Sequence, residues 1–247
     1  TKPISEQTIY NDFRCLHSAL NWAFRWRHIP ENPIAHYPFD QGDIIHKVPD
    51  LPSPADIQSI FDHLPDEDTR KAFYFILATG CRYSDMETLE ADDISPTALI
   101  KFWRSVKGRR KHERYAPLPD LPYSIPTAGR IFDRDGYPWK EKTLLDRVQK
   151  ASAKAGASKI NIHSLRRAHA TYELALGRKS VGHLMESCGW RSYAVFERYI
   201  QEARKYDIEE YLPQWPGTNR QEYPQRSDAS RQNPGKRRDV IKFKQVI

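Results

Sequence analysis

A chain of 247 residues is long enough for one large domain or two modest ones, and with 39% hydrophobic and 12% aromatic residues it can bury a sizeable core. Its 39 Lys and Arg outweigh 32 Asp and Glu for a net charge of +7, a balance that favours a polyanionic partner because each neutralised phosphate releases condensed counterions. The cysteines Cys15, Cys81 and Cys188 are odd in number and widely spaced, which excludes a disulfide framework or a zinc module. No apolar run approaches the roughly 20 residues of a membrane span and TKPISEQTIY lacks a signal-peptide pattern, so the expectation is a soluble, cytoplasmic protein.

The first element places Ile9, Phe13, Leu16, Leu20 and Phe24 at helical spacing after a cap at Ser5. Pro30 and Pro33 in HIPENP stop it. One good helix makes a poor independent domain, so residues 1–46 read as part of a helical module and the start of a linker, which runs without clear period over 35–52. Ser53 and Pro54 open a helix that buries Ile57, Ile60, Phe61 and Leu64. The next, KAFYFILATG, is apolar almost all round, which makes it central, and Gly80 suits its C-terminal cap.

Short β-compatible runs near Leu89–Ile94, Leu99–Trp103 and Arg114–Leu118 predict a small three-stranded antiparallel sheet, with the basic stretch SVKGRRKHER as a hairpin tip between the last two. Helical patterning returns over Lys140–Ala155, where Leu144, Leu145, Val148 and Ala151 are apolar and Gly156 is the stop. It resumes over 163–176, 180–188, 193–202 and 204–212. The expected architecture is therefore mainly α with a small sheet, in one domain over 47–212. From Pro213 the composition shifts, with eight Lys or Arg against three Asp or Glu over 213–247. Such a tail cannot bury enough apolar surface to fold alone and is expected to be flexible; its end, VIKFKQVI, alternates apolar and basic residues and suits a strand docked on a partner.

Four clusters carry chemistry, each weak alone. In ATGCRYSD, Arg82 follows a helix-ending glycine and Asp85 stands three residues on; such a pair is usually structural, but a rigidly held guanidinium can also bind two phosphate oxygens. In HSLRR, His163 and Arg166 share a helix face, a spacing common by chance. In CGWRSYAVFERYI, Gly189 and Trp190 precede Tyr199, one of thirteen tyrosines. The basic hairpin is by default a solvated charge run.

Together and in order, Arg82, a lysine-bearing hairpin, His163-x-x-Arg166, Gly189-Trp190 and Tyr199 resemble the active-site signature of the tyrosine recombinase, or phage integrase, family. Thr79-Gly80 before Arg82 matches the family's TG-x-R pattern, SVGHLMESCGW resembles the stretch that normally ends in Leu-Gly-His, and ENP near position 32 resembles the close of the family's helical (SAM-like) core-binding domain. The resemblance runs from about residue 8 to 212. Trp190 stands where most members carry histidine, and the amino-terminal segment is shorter than the usual four or five helices. For the hairpin lysine, Lys107 followed by Gly108 fits the Lys-Gly pattern, while Arg109 has the commonest spacing from Pro117 and Lys111 also lies in the tip.

The resemblance implies the fold of the DNA breaking-rejoining enzymes and a site-specific recombinase or integrase that needs no metal or other cofactor. Tyr199 would attack the scissile phosphate to form a 3′-phosphotyrosyl link. Arg82 and Arg166 would cradle the non-bridging oxygens, His163 would act as general acid/base, Lys107 would protonate the departing 5′-oxygen, and Trp190 would donate its indole N–H. Asp85 would orient Arg82, and Arg109, Arg110 and Lys111 would contact DNA. His169 and His183 match no catalytic position and read as structural. The implied partners are double-stranded recombination sites and further copies of the chain in a tetramer on DNA, with the state of the free protein left open; the 204–212 helix and the tail are the docking piece. Alternatives are a catalytically silent DNA-binding protein on the same fold, a type IB topoisomerase-like activity, and a metal-dependent nuclease built on Glu90, Asp92 and Asp93.

Overall fold

Helix α1 (Glu6–Arg25) begins where the Ser5 hydroxyl accepts the Thr8 amide at 3.2 Å, one of the N-terminal donors that a helix leaves without an internal partner. The structure, a computed structural model, describes residues 4–37, 51–106, 110–134 and 137–216. They fall into two units that divide between Asp50 and Leu51. In the first, the Asn32 amide donates to Asn21 at 2.8 Å and its oxygen accepts the Ile34 amide at 3.0 Å, so the ENP turn is folded back on α1.

In the second unit, α2 (Pro54–Asp62) opens with a reciprocal capping box between Ser53 and Asp56. Helix α3 (Glu67–Thr79) is capped by Asp66 and buries nine consecutive or near-consecutive side chains from Thr69 to Thr79, so it runs through the core rather than along it. It ends at Gly80, whose φ of 64° is left-handed, and a Cβ there would stand 2.5 Å from His169 Cδ2 and 2.9 Å from Cys188 Sγ. Short α4 (Tyr83–Glu87) follows at once. Helix α5 (Glu141–Lys154) packs on α2, and α6 (Ile162–Ala175) packs on α3 and on α8 (Tyr193–Ala203). Helix α7 (Val181–Cys188) closes on the hairpin and ends at Gly189, again left-handed at φ 74°.

The sheet has two strands, not three. Strands β1 (Leu99–Val106) and β2 (Arg110–Pro117) pair antiparallel from Leu99 opposite Pro117 to Val106 opposite Arg110. Ile100, Phe102 and Ala116 are buried on one face. The expected first strand is instead a 3₁₀ turn over Ala91–Asp93, because the Asp93 carboxylate accepts the Glu90 amide at 3.1 Å and coils the chain there. Only the single bridges of Glu90 to Arg130 and Ile94 to Ile100 remain. A separate two-residue pair joins β3 (Asp133–Arg134) to β4 (Tyr137–Pro138).

The helix expected over 204–212 does not form either. There the Glu210 carboxylate accepts the Tyr211 and Leu212 amides at 2.8 and 3.1 Å and pairs with Arg178 at 2.9 Å, so the backbone donors are met by a side chain. Tyr211 is buried, its hydroxyl donating to Glu173 at 2.9 Å beside His169. Beyond it, Trp215 packs against Phe61, Tyr74 and Tyr123 with ring centroids 5.0–6.1 Å apart. Residues as far as 215 thus belong to the packed unit. Most of the expected flexible tail, from 217 on, lies outside the described residues.

Candidate active site

The last carbonyls of a helix have no intrahelical donor and carry the negative end of its dipole, so they attract cations. At the C-terminus of α7 three successive carbonyls each take a different arginine. Ser187 accepts Arg114 Nη1, Cys188 accepts Arg166 Nη2 at 2.7 Å, and Gly189 accepts Arg82 Nη2 at 3.3 Å. Arg166 also donates from Nη1 to the Gly80 carbonyl at 2.6 Å, so it joins the ends of α3 and α7. Gly189 leaves room for this convergence, since a Cβ would lie 3.1 Å from Arg114 Cδ and 3.7 Å from Arg82 Nη1.

Arg166 is 2% exposed, and burial lowers its pKa to about 10, with Arg82 and Arg114 nearby pressing in the same direction and the Cys188 thiol opposing it. It remains charged at neutral pH. Its guanidinium carbon lies 4.1 Å from the centre of the Trp190 ring, a cation–π contact. The other side of this aromatic group is Tyr199, 5.2 Å from Trp190, with Phe196 5.1 Å from Trp190 and 5.5 Å from Tyr199. Burial raises the Tyr199 pKa, while Arg167, through its charge and a side-chain hydrogen bond, and then Arg166 and Arg198 pull it down.

Asp85 is buried and reaches Arg82 chiefly through the backbone. Its Oδ2 accepts the Arg82 amide at 3.0 Å and pairs with Arg114 Nη2, whereas Arg82 Nη1 stands 3.9 Å away. His163 is exposed near the start of α6, which the Asn161 side chain caps through the Ser164 amide at 2.8 Å. Desolvation by the packed protein beneath it, then Arg166, Arg167 and Arg82, lower its pKa and favour the neutral ring.

The structure therefore brings together Arg82, Asp85, Arg166, Trp190 and Tyr199, with His163 within electrostatic reach of the arginines. Lys107 and Arg109 lie outside the described residues; Arg110 and Lys111 are in β2, opposite Val106 and Ser105. His169 is fully buried, its Nδ1 2.9 Å from the Leu77 carbonyl, and the His183 amide is part of the α7 cap on Ser180. Glu90 and Asp93 are taken up in the 3₁₀ turn, where Asp93 also accepts the Trp103 indole at 2.8 Å. Among the described residues no group of three or more His, Cys, Asp and Glu side chains is gathered as metal ligands, and no helix is long and apolar enough to cross a membrane.

Two members of the cluster escape a reading of the sequence. Arg167 is the second arginine of HSLRR, and Arg114 belongs to the basic hairpin. The signal for Arg114 is strand alternation: it shares a face with Ala116 and stands opposite Phe102, both buried, which is no place for a solvated charge.

A family model described as the phage integrase family matches residues 53–205. No curated protein matches the chain. Among solved structures, the Tn1549 transposon integrase in complex with circular intermediate DNA is 20% identical over 82% of this chain and 78% of that one, with a TM-score of 0.58. A lambda integrase dimer bound to a COC′ core site is 18% identical over 79% and 74%, with a TM-score of 0.59. XerA recombinase is 19% identical with a TM-score of 0.51, and the match spans 64% of each chain, less than two thirds of the XerA length. At these identities the likeness is one of fold.

Proposed function

Because the chain belongs to the phage integrase family of tyrosine recombinases, we propose that it is a site-specific recombinase that cleaves and rejoins double-stranded DNA through a 3′-phosphotyrosyl link to Tyr199, without a metal ion. The observation that carries this reading is the cluster at the end of α7: three guanidinium groups converge on its last carbonyls, two of them beside the Asp85 carboxylate, next to the packed rings of Trp190 and Tyr199. An excess of positive charge in a partly desolvated site suits a phosphodiester, whose own charge grows at the transition state.

Each residue then has a task. Arg82, about a third exposed, meets the phosphate first. Arg166 lies beneath Trp190, and its Nε–H, which has no acceptor among the described residues, is a donor available to a phosphate oxygen. The Tyr199 oxygen attacks phosphorus as the bond to the 5′-oxygen breaks. The phenolic proton passes to His163, whose neutral ring is the base form, and the 5′-oxygen takes up a proton from Lys107. The phosphotyrosyl bond keeps the energy of the broken one, so a new 5′-hydroxyl can reverse the step without a further energy source. Joining two sites requires several copies, and a tetramer on two duplexes is the assembly proposed, with the basic segment beyond 216 contacting DNA or a neighbouring copy.

The test uses duplexes tiled across the host genome, each nicked so that cleavage releases a short fragment and traps the enzyme. Wild-type chain is expected to form a denaturant-resistant adduct that survives a strong chelator, and Tyr199→Phe none. Absence of an adduct from the wild type, or equal adduct from Tyr199→Phe, refutes the reading; selective binding without an adduct points to a silent DNA-binding protein, and relaxation without strand exchange to a topoisomerase.

A further inference from the structure

Asp85 sits between two arginines, and the geometry shows which of them answers its charge. The carboxylate is 5% exposed and its position is fixed by the Arg82 amide, which it accepts at the first turn of α4. Arg114 pairs with it directly through Nη2, while the Arg82 guanidinium stands off at 3.9 Å and donates instead to the Gly189 carbonyl. Arg114 is itself held from three sides: by Asp85, by the Ser187 carbonyl, and by the Phe102 ring 4.3 Å from its guanidinium carbon. Both of its terminal nitrogens are committed, and its side chain is 9% exposed.

Resting on the recombinase reading, we propose that Arg114 is a positioning residue: it neutralises Asp85, so that the carboxylate does not draw the Arg82 guanidinium away from the scissile phosphate. A buried carboxylate that loses its ion-pair partner is a strong attractor for any cation in reach. Arg82, a third exposed and 3.9 Å from the carboxylate, is within that reach. Contraction of the 3.9 Å gap to a direct pair takes Arg82 Nη2 off Gly189 and turns its charge inward.

The experiment measures single-turnover adduct formation on the nicked duplex captured by the wild-type chain, against DNA concentration, so that binding and rate separate. Arg114→Met is expected to slow the saturated rate roughly a hundredfold, the scale of a misplaced catalytic group. Arg114→Met combined with Asp85→Asn is expected to recover to within about tenfold of wild type, a non-additive pair, because the amide oxygen still accepts the Arg82 amide but has no charge to attract its side chain. Arg114→Lys, which keeps the charge, is expected to stay within about the same tenfold. A folded double variant as slow as Arg114→Met, or a folded Arg114→Lys slowed as much, overturns the role. If Arg114→Met alone does not fold, by circular dichroism and thermal melting, the double variant and Arg114→Lys decide the matter. A wild-type chain that forms no adduct overturns the recombinase reading and this role with it, whereas an active wild type with an unrescued double variant overturns this role only.

Discussion

Replacement of Gly80 by alanine tests whether the end of α3 is held by backbone conformation alone or also by close packing. Gly80 and Gly177 share nearly the same left-handed backbone, at φ 64° and 63°, but a Cβ at Gly177 meets nothing within 4 Å. Alanine at Gly177 therefore carries only the left-handed strain, about 1 kcal/mol. At Gly80 the new methyl also lands 2.5 Å from the His169 ring and 2.9 Å from the Cys188 sulfur. The His169 ring is fully buried and hydrogen-bonded to the Leu77 carbonyl, so it has little room to retreat. Overpacking of this kind adds about 1–3 kcal/mol. With roughly 2–4 °C lost per kcal/mol in a protein of this size, Gly177→Ala should lower the melting temperature by about 3 °C and Gly80→Ala by about 6–12 °C. Because the Gly80 carbonyl anchors Arg166, Gly80→Ala should also slow adduct formation at temperatures where it is folded, and Gly177→Ala should not. Equal melting shifts in the two variants, or an unslowed Gly80→Ala, would refute the account of α3's end.

Three further outcomes concern the buried network around Tyr211 and the segment that follows it. Burial, then the Lys179 charge, holds the His169 pKa well below its ordinary 6.5 in the folded chain, so below about pH 6.5 the unfolded state binds the extra proton and stability falls as pH falls. Urea midpoints between pH 6.5 and 5 should drop with a slope that shrinks in His169→Gln; an unchanged slope removes His169 as the cause. Truncation after Pro216 should leave the melting temperature within a few degrees of the full chain while weakening cooperative DNA binding. Truncation after Lys205, which removes Tyr211 and Trp215, should destabilise by more than about 5 kcal/mol by urea unfolding; a stable short form would show that these rings do not close the core.

Local chemistry made most helices readable. Ser53 and Asp56 reciprocally cap α2, the nearly all-apolar KAFYFILAT becomes the central α3, and Gly80 and Gly189 end their helices in the left-handed conformation that only glycine takes readily. The errors share one cause, a side-chain carboxylate that competes with the backbone pattern. Asp93 turns an apparent strand into a 3₁₀ turn, and Glu210 takes amides that a helix would have used. Neither is visible in apolar periodicity, because carboxylate capping depends on where the chain goes next. The linear signature of Arg82, His163, Arg166, Trp190 and Tyr199 names the residues of the cluster. It omits what holds them, since Gly80, Ser187, Cys188 and Gly189 contribute carbonyls, which no side-chain motif records.

That omission explains why the site can exist before DNA arrives. Three like charges held close together repel, and burial, with Arg82 and Arg114 nearby, lowers the Arg166 pKa. One carboxylate cannot offset three guanidinium groups. The deficit is met by the carbonyls at two helix ends, which supply partial negative charge without a full anion. Replacing those carbonyls with further Asp or Glu side chains would neutralise the arginines and leave nothing for a phosphate. Dipoles hold the guanidinium groups in place but leave their net charge intact, which is what an anion-binding site requires. The left-handed glycines at positions 80 and 189 are part of the same device: they end α3 and α7 and let the arginine side chains approach the exposed carbonyls. Arg114 completes it by pairing directly with Asp85, the carboxylate that stands 3.9 Å from the Arg82 guanidinium.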